Sequence, residues 1–149
     1  ITDEPAGAIG PRWSSTGTHI AYSAQGRLVV SDADGANAGA VTEGHFDTNP
    51  MWSPDGDLVF ARETSFVDAR SLTSVFSVDP LGERTRQLAS IAGGSIVPSS
   101  FSADGTRLLV TIYEGKNGDL YVMDRDGSNM ERIVDGPSDD TGGSWRPSV

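Results

Sequence analysis

Cysteine is absent from this chain of 149 residues. That excludes disulfides, thiol nucleophiles and cysteine-ligated zinc, while leaving the compartment open. Lysine is almost absent as well, with Lys116 the single example. The 11 basic residues are outnumbered by 21 acidic ones, for a formal net charge of −10. A phosphate backbone would be repelled by such a chain, so nucleic acid is excluded as a partner class and neutral or basic surfaces are favoured. No run approaches the ~20 consecutive apolar residues of a membrane-spanning helix, and no membrane span is expected. Nor does any segment sustain an apolar period of 3.6 long enough for a helix, because Gly, Pro and Asp-Gly punctuate it too often. The 18 glycines and 8 prolines read as turn markers in a globular chain of ordinary apolar content.

What the chain does have is a repeat. An aromatic residue, a serine and a turn ending in Gly recur as W-S-S-T-G (Trp13–Gly17), W-S-P-D-G (Trp52–Gly56) and F-S-A-D-G (Phe101–Gly105). Trp145 opens a fourth copy. The spacings are 39, 49 and 44 residues. A period of roughly 40–50 residues with strands only is the mark of a blade-by-blade β-propeller. Each copy reads as four antiparallel strands, a to d. Strand b is expected at His19–Ser23, Leu58–Ala61 and Arg107–Ile112; strand c at Leu28–Ser31, Val75–Val78 and Leu120–Met123. Strand d falls at Ala40–Thr42, Arg86–Leu88 and Glu131–Val134. The expected fold is therefore all-β, a partial β-propeller of three four-stranded blades at about 11–44, 50–90 and 97–136. Residues 1–3 would end a preceding blade and 144–149 would begin a following one. Three blades cannot close a ring. The chain thus reads as a piece of a longer propeller that associates when alone, and a homodimer closing a six-bladed ring is one form of that expectation.

Strand alternation sorts the connections. The a–b and c–d turns, tight and stereotyped, share one face of the disc. The b–c and d–a connections, long and variable, share the other. Variable loops on a rigid scaffold are where binding concentrates, so this second face is the expected binding face. Its candidate contacts are His45, Phe46 and Asp47 in the first d–a loop, and Tyr113 and Lys116 in the third b–c connection. The longest insertion, Glu63–Ser74, adds Phe66, Asp68 and Arg70, with apolar anchors inside a charged rim. The tryptophans in phase with Phe101 are expected as packing between blades.

The unit W-S-P-D-G, a strand, D-x-D-G-x-N and a final R-I-V or Q-L-A resembles the TolB-type, WD40-like (PD40) β-propeller repeat over essentially the whole chain. The first copy departs at Ser15-Thr16, where Pro-Asp stands in the second. The resemblance implies a non-enzymatic module that docks a protein or peptide, in the periplasm or outside the cell. Its alternative is the non-catalytic propeller of a prolyl-oligopeptidase-like hydrolase or a carbohydrate-active protein.

Catalytic and metal chemistry find little support in the residues. The D-x-D-G-x-N turns (Asp32–Asn37 and Asp124–Asn129) put Gly at the fourth position, unlike a calcium-binding EF-hand loop, and read as c–d turns. No G-x-S-x-G is present. His19 and His45 lie at different places in the repeat and form no metal pair. Asp139-Asp140 reads as a solvated acidic loop. No catalytic residue, metal or cofactor is expected.

Overall fold

The computed structural model describes residues 7–67, 70–134 and 139–145. The expected strand at residues 1–3, the candidate Asp68 and the end of the fourth copy beyond Trp145 lie outside them. Twelve strands form three four-stranded antiparallel sheets, with no helix among the described residues. Blade 1 is β1 (Ile9–Trp13), β2 (His19–Ala24), β3 (Arg27–Asp32) and β4 (Gly39–Ala40). Blade 2 is β5 (Asp47–Trp52), β6 (Leu58–Val67), β7 (Arg70–Val78) and β8 (Arg86–Ala89). Blade 3 is β9 (Ser95–Phe101), β10 (Arg107–Glu114), β11 (Asn117–Asp124) and β12 (Glu131–Arg132). In each sheet the strands neighbour one another in chain order. This is a partial β-propeller.

Period-2 alternation explains how the blades stack. Ala21 and Leu28 of blade 1 meet Leu58, Phe60 and Val78 of blade 2 in one buried cluster. Val59 and Val75, facing the other way, join Ile96, Leu108, Val110 and Ile112 of blade 3 in a second. A third cluster, Ile20, Tyr22, Ala24 and Val29, lies on the opposite face of blade 1. The middle blade is thus apolar on both faces.

Tryptophan ties neighbouring blades through its indole N–H. Trp52 donates to the carbonyl of Arg12, 3.0 Å away, one residue before Trp13. Trp145 donates to the carbonyl of Ser100 at 3.2 Å, one residue before Phe101. The first bond joins the inner strand β5 to blade 1, and the second ties Trp145, which lies outside the strands, to β9 of blade 3. Trp13, by contrast, is 56% exposed, which corrects its assignment to the packing between blades. No described residue stands beside it where Arg12 stands beside Trp52.

The turn chemistry repeats as the residues require. In each a–b turn the serine hydroxyl accepts a backbone N–H at the start of strand b, from His19, Asp57 or Arg107. In the c–d turns Asn37 and Asn129 reach back to Asp32 and Asp124 at 2.7 and 2.6 Å. The hydroxyl of Ser102, with the N–H and hydroxyl of Thr106, holds the carboxyl of Asp104 down to about 2. Asp126 is lowered by the hydroxyl and N–H of Ser128, and Asp55 chiefly by the guanidinium of Arg125. At Asp79 burial pushes upward, and the N–H groups of Arg84, Leu81 and Glu83 outweigh it.

All four folded values therefore lie below the ordinary carboxylate value of 3.8. The ionised forms favour the folded state, so their contribution is complete above about pH 5 and lost as pH falls towards 2. Denaturant midpoints should stay level from pH 7 to about 5 and fall between about 4 and 2, less steeply in Asp104→Asn. A midpoint unchanged at about pH 2.5 would contradict this reading.

Candidate binding face

Strand order places the b–c hairpins and d–a loops together at one end of the blades. The blade 1 hairpin turns at Gln25 and Gly26, both with positive φ (53° and 74°), a two-residue turn of the twist a hairpin prefers. Blade 3 turns at Gly115 and Lys116, with positive φ at Gly115 alone. Tyr113 pairs with Gly118 across that hairpin, so what reads as a Gly-rich connection over Tyr113–Asp119 is a tight turn between longer strands. Lys116 is exposed at its tip and Tyr113 is half-buried.

The larger correction concerns Glu63–Ser74. Its residues 63–67 and 70–74 form an arm of paired strand rather than a loop: β6 and β7 stay in register out to Val67 opposite Arg70, with one bulge at Thr64. Counted from the residue paired with the inner-strand aromatic, β6 runs ten residues where β2 runs five. At about 3.3 Å per residue the arm reaches roughly 15 Å beyond the blade 1 hairpin. Phe66 and Arg70 lie at its outer end. Thr73 braces it, donating through its hydroxyl to the carbonyl of Ile96 at 3.0 Å and through its N–H to Ser95.

The triplet His45, Phe46 and Asp47 is divided by the fold. His45 is exposed, and Phe46 is 69% exposed. Asp47 is wholly buried at the start of β5, directly opposite Arg62. Arg62 donates to its two carboxylate oxygens at 2.7 and 2.8 Å, the two-pronged geometry that suits guanidinium and carboxylate. The guanidinium also lies 5.2 and 5.0 Å from the ring centres of Phe60 and Phe76. Asp47 is therefore an anchor rather than a contact offered to a partner.

That anchor bears on Phe46. Its φ is +54°, a left-handed conformation rare for a bulky residue and a pointer to function where it occurs. The chain is clamped on its C-terminal side by the ion pair and by the Asp47 N–H, which donates to the Gly26 carbonyl at 3.0 Å. The Phe46 backbone passes 3.4 Å from where a Cβ on Gly26 would stand. The blade 1 hairpin and the d–a loop are thus welded together, with the phenyl ring left outside.

Inward from the loops, the inner strands line a groove of about 550 Å³ with Arg12, Asn49, Pro98, Tyr113 and Gly142 on its walls. Three residues before each tryptophan the backbone is left-handed, at Gly10, Asn49 and Gly142; Pro98 holds that place in blade 3. The dipeptides Gly10-Pro11 and Asn49-Pro50 carry this signal in the sequence, whereas nothing local to Arg62 marks it as the partner of Asp47. Residues 139–145 follow the far side of blade 3, where Asp139 accepts the Gly118 N–H at 2.6 Å and Asp140 donates to the Gly118 carbonyl at 2.7 Å. Asp139 is thus used in packing. Among the described residues no group of three His, Asp or Glu side chains is placed to hold a metal ion.

The profile of the TolB β-propeller domain family, PD40, matches residues 23–148. The chain belongs to this family. Tol-Pal system protein TolB of Anaeromyxobacter dehalogenans strain 2CP-C is 29% identical over 138 residues, covering 86% of this chain and 29% of that protein. The PD40 chain therefore spans under a third of the curated TolB relative. It also resembles the lasso peptide isopeptidase AtxE2 of Asticcacaulis excentricus, 37% identical over 75 residues, which are 45% of this chain and 11% of that one. Among solved structures, a TolB homologue from Agrobacterium tumefaciens, described as putative in its own structure, superposes with a TM-score of 0.78 at 20% identity, over 93% of this chain and 50% of that one. This last likeness concerns the fold alone.

Proposed function

We propose that this PD40 propeller is a non-enzymatic module that docks a protein or peptide through its b–c and d–a face, in the periplasm or outside the cell. The observation that carries the reading is Phe46: a large aromatic left exposed in a strained conformation, on a loop pinned by a buried ion pair. Rigid aromatic anchors lose little conformational freedom on binding and commonly dominate interface energies. The projecting arm, with Phe66 and Arg70 near its tip, supplies a second contact, and Lys116 and His45 supply polar rim. The TolB relative belongs by name to a Tol-Pal system, so the Pal protein of the same organism is the partner to try first.

Titration calorimetry with that protein tests the reading. Phe46→Ala should weaken binding by tenfold or more, about 1.4 kcal/mol or above, with an unchanged melting temperature. Asp34→Ala and Asn129→Ala, on the tight-turn side, should leave affinity alone. The reverse pattern would assign the contact to the wrong face. A second reading, the propeller part of a peptidase, is favoured by the resemblance to the isopeptidase; a hydrolase segment carrying G-x-S-x-G in the longer chain would decide for it.

A further inference from the structure

The opposite face, the side of the tight turns, differs between its two blade junctions. Between blades 2 and 3 it is closed. Arg125 of the blade 3 c–d turn pairs with Asp55 of the blade 2 a–b turn, and Pro54 packs so closely on Gly105 that no Cβ could stand there. Between blades 1 and 2 the same parts are replaced. Ser15-Thr16 stands for Pro54-Asp55, and Pro80-Leu81 occupies the place of Arg125-Asp126. No ion pair can form there, and a Cβ on Gly56, the counterpart of Gly105, would meet nothing within 4 Å. The result is an open cleft of about 630 Å³.

Its walls are chemically specific. The Trp52 ring forms apolar wall, and its N–H is already committed to Arg12, so the ring offers carbon surface. Leu81, 80% exposed, stands on the rim. The Thr16 and Thr18 hydroxyls share a 2.7 Å hydrogen bond, and Thr18 continues to Nδ1 of His19 at 2.9 Å. His19 faces Asp32 at 3.7 Å and Trp52 with ring centres 6.5 Å apart. The Asp32 side chain remains 42% exposed. No lysine or arginine among the described residues lines the cleft.

We propose that this cleft is a second binding site, taking an arginine or lysine side chain of a peptide segment. The Asp32 carboxylate gives one oxygen to the Asn37 amide and keeps the other towards His19, 3.7 Å away. Beside an aromatic ring, with no lysine or arginine among the described residues of the cleft and a chain charge of −10, it suits a guanidinium or ammonium group with its aliphatic stem laid on Trp52 and Leu81. At the next junction the protein sets its own arginine between the turns, held there by Asp55; here Thr16 stands in that place, so the carboxylate offered to a cation is Asp32 on the c–d side of the cleft.

The test follows the Trp52 indole N–H by nuclear magnetic resonance while N-acetyl-leucyl-arginine amide is added to about 10 mM. A saturable shift is expected, with at least tenfold weaker binding for the citrulline analogue and for Asp32→Asn. The double substitution Thr16→Asp with Pro80→Arg rebuilds the lock of the next junction; it should abolish the shift while the protein melts cooperatively at no lower temperature. Phe46→Ala should change nothing here, which separates this site from the opposite face. No shift at the highest concentration, equal binding of citrulline, binding retained in the double variant, or preference for a neutral oligosaccharide such as chitotriose would each overturn the proposal.

Discussion

Replacing Gly127 with alanine should destabilise the protein by about 3–4 kcal/mol, lowering its melting temperature by roughly 10 °C. Gly127 sits in the blade 3 c–d turn with φ of +95°. A Cβ there would overlap the carbonyl oxygen of Leu88 in blade 2 and lie 2.7 Å from its carbonyl carbon. Both obstacles are backbone, so neither can swing aside. The left-handed conformation alone costs alanine about 1–2 kcal/mol; displacement of one blade from the next adds the remainder. Gly82 repeats the arrangement against Val41 of blade 1. Gly17 supplies the control, with φ of +70° and nothing within 4 Å. Gly17→Ala should show only the conformational cost, about 1 kcal/mol. Chemical denaturation of the three variants measures the difference directly. Equal losses at Gly17 and Gly127 would mean that the junction yields and the close approach is unimportant.

Asp47→Ala should cost about 3–5 kcal/mol, because it leaves the Arg62 guanidinium without its partner in a largely buried place. Arg62 is 16% exposed and Asp47 not at all. Replacing both by apolar residues, Asp47→Leu with Arg62→Met, should recover much of that loss, since buried pairs often contribute little net stability over well-packed apolar groups. The single variant has a second consequence. It frees the base of the loop that displays Phe46, so partner affinity should fall as far as in Phe46→Ala, although Asp47 touches no partner. The apolar double variant separates the effects: stability returns first, and affinity returns only if the Phe46 backbone does. A loss below about 1 kcal/mol in Asp47→Ala, read by denaturant titration, would remove the anchor from the account.

The parts of this fold written in local chemistry were legible in the sequence. W-S-x-x-G and D-x-D-G-x-N announce their turns because Ser and Asp accept nearby backbone N–H groups and Asn bonds the Asp that opens its turn, all within two to five residues. The strands between them alternate as a half-buried sheet must. The arm from Glu63 to Ser74 reads as a loop because its residues lack the apolar alternation of the inner strands. Its Thr, Ser, Phe and Val residues have strand propensity, yet their polarity resembles a loop. Asp47 was misread for a different reason. Beside His45 and Phe46 it looks like surface, and only the register that sets it opposite Arg62 shows it to be buried. Trp13 shows the limit of phase alone, since an in-phase tryptophan is covered only where a neighbouring strand stands beside it. The departure at Ser15-Thr16 was visible from the start, but its consequence needed the second junction for comparison.

The most direct measurement is an amide hydrogen-exchange footprint of the protein mixed with the partner proposed for it, the Pal protein. The account predicts added protection at residues 24–27, 43–47, 63–74 and 114–117, with none at the turns 14–17, 32–37 and 53–56. Protection confined to those turns, with the Phe46 loop exchanging as in the free protein, would contradict it.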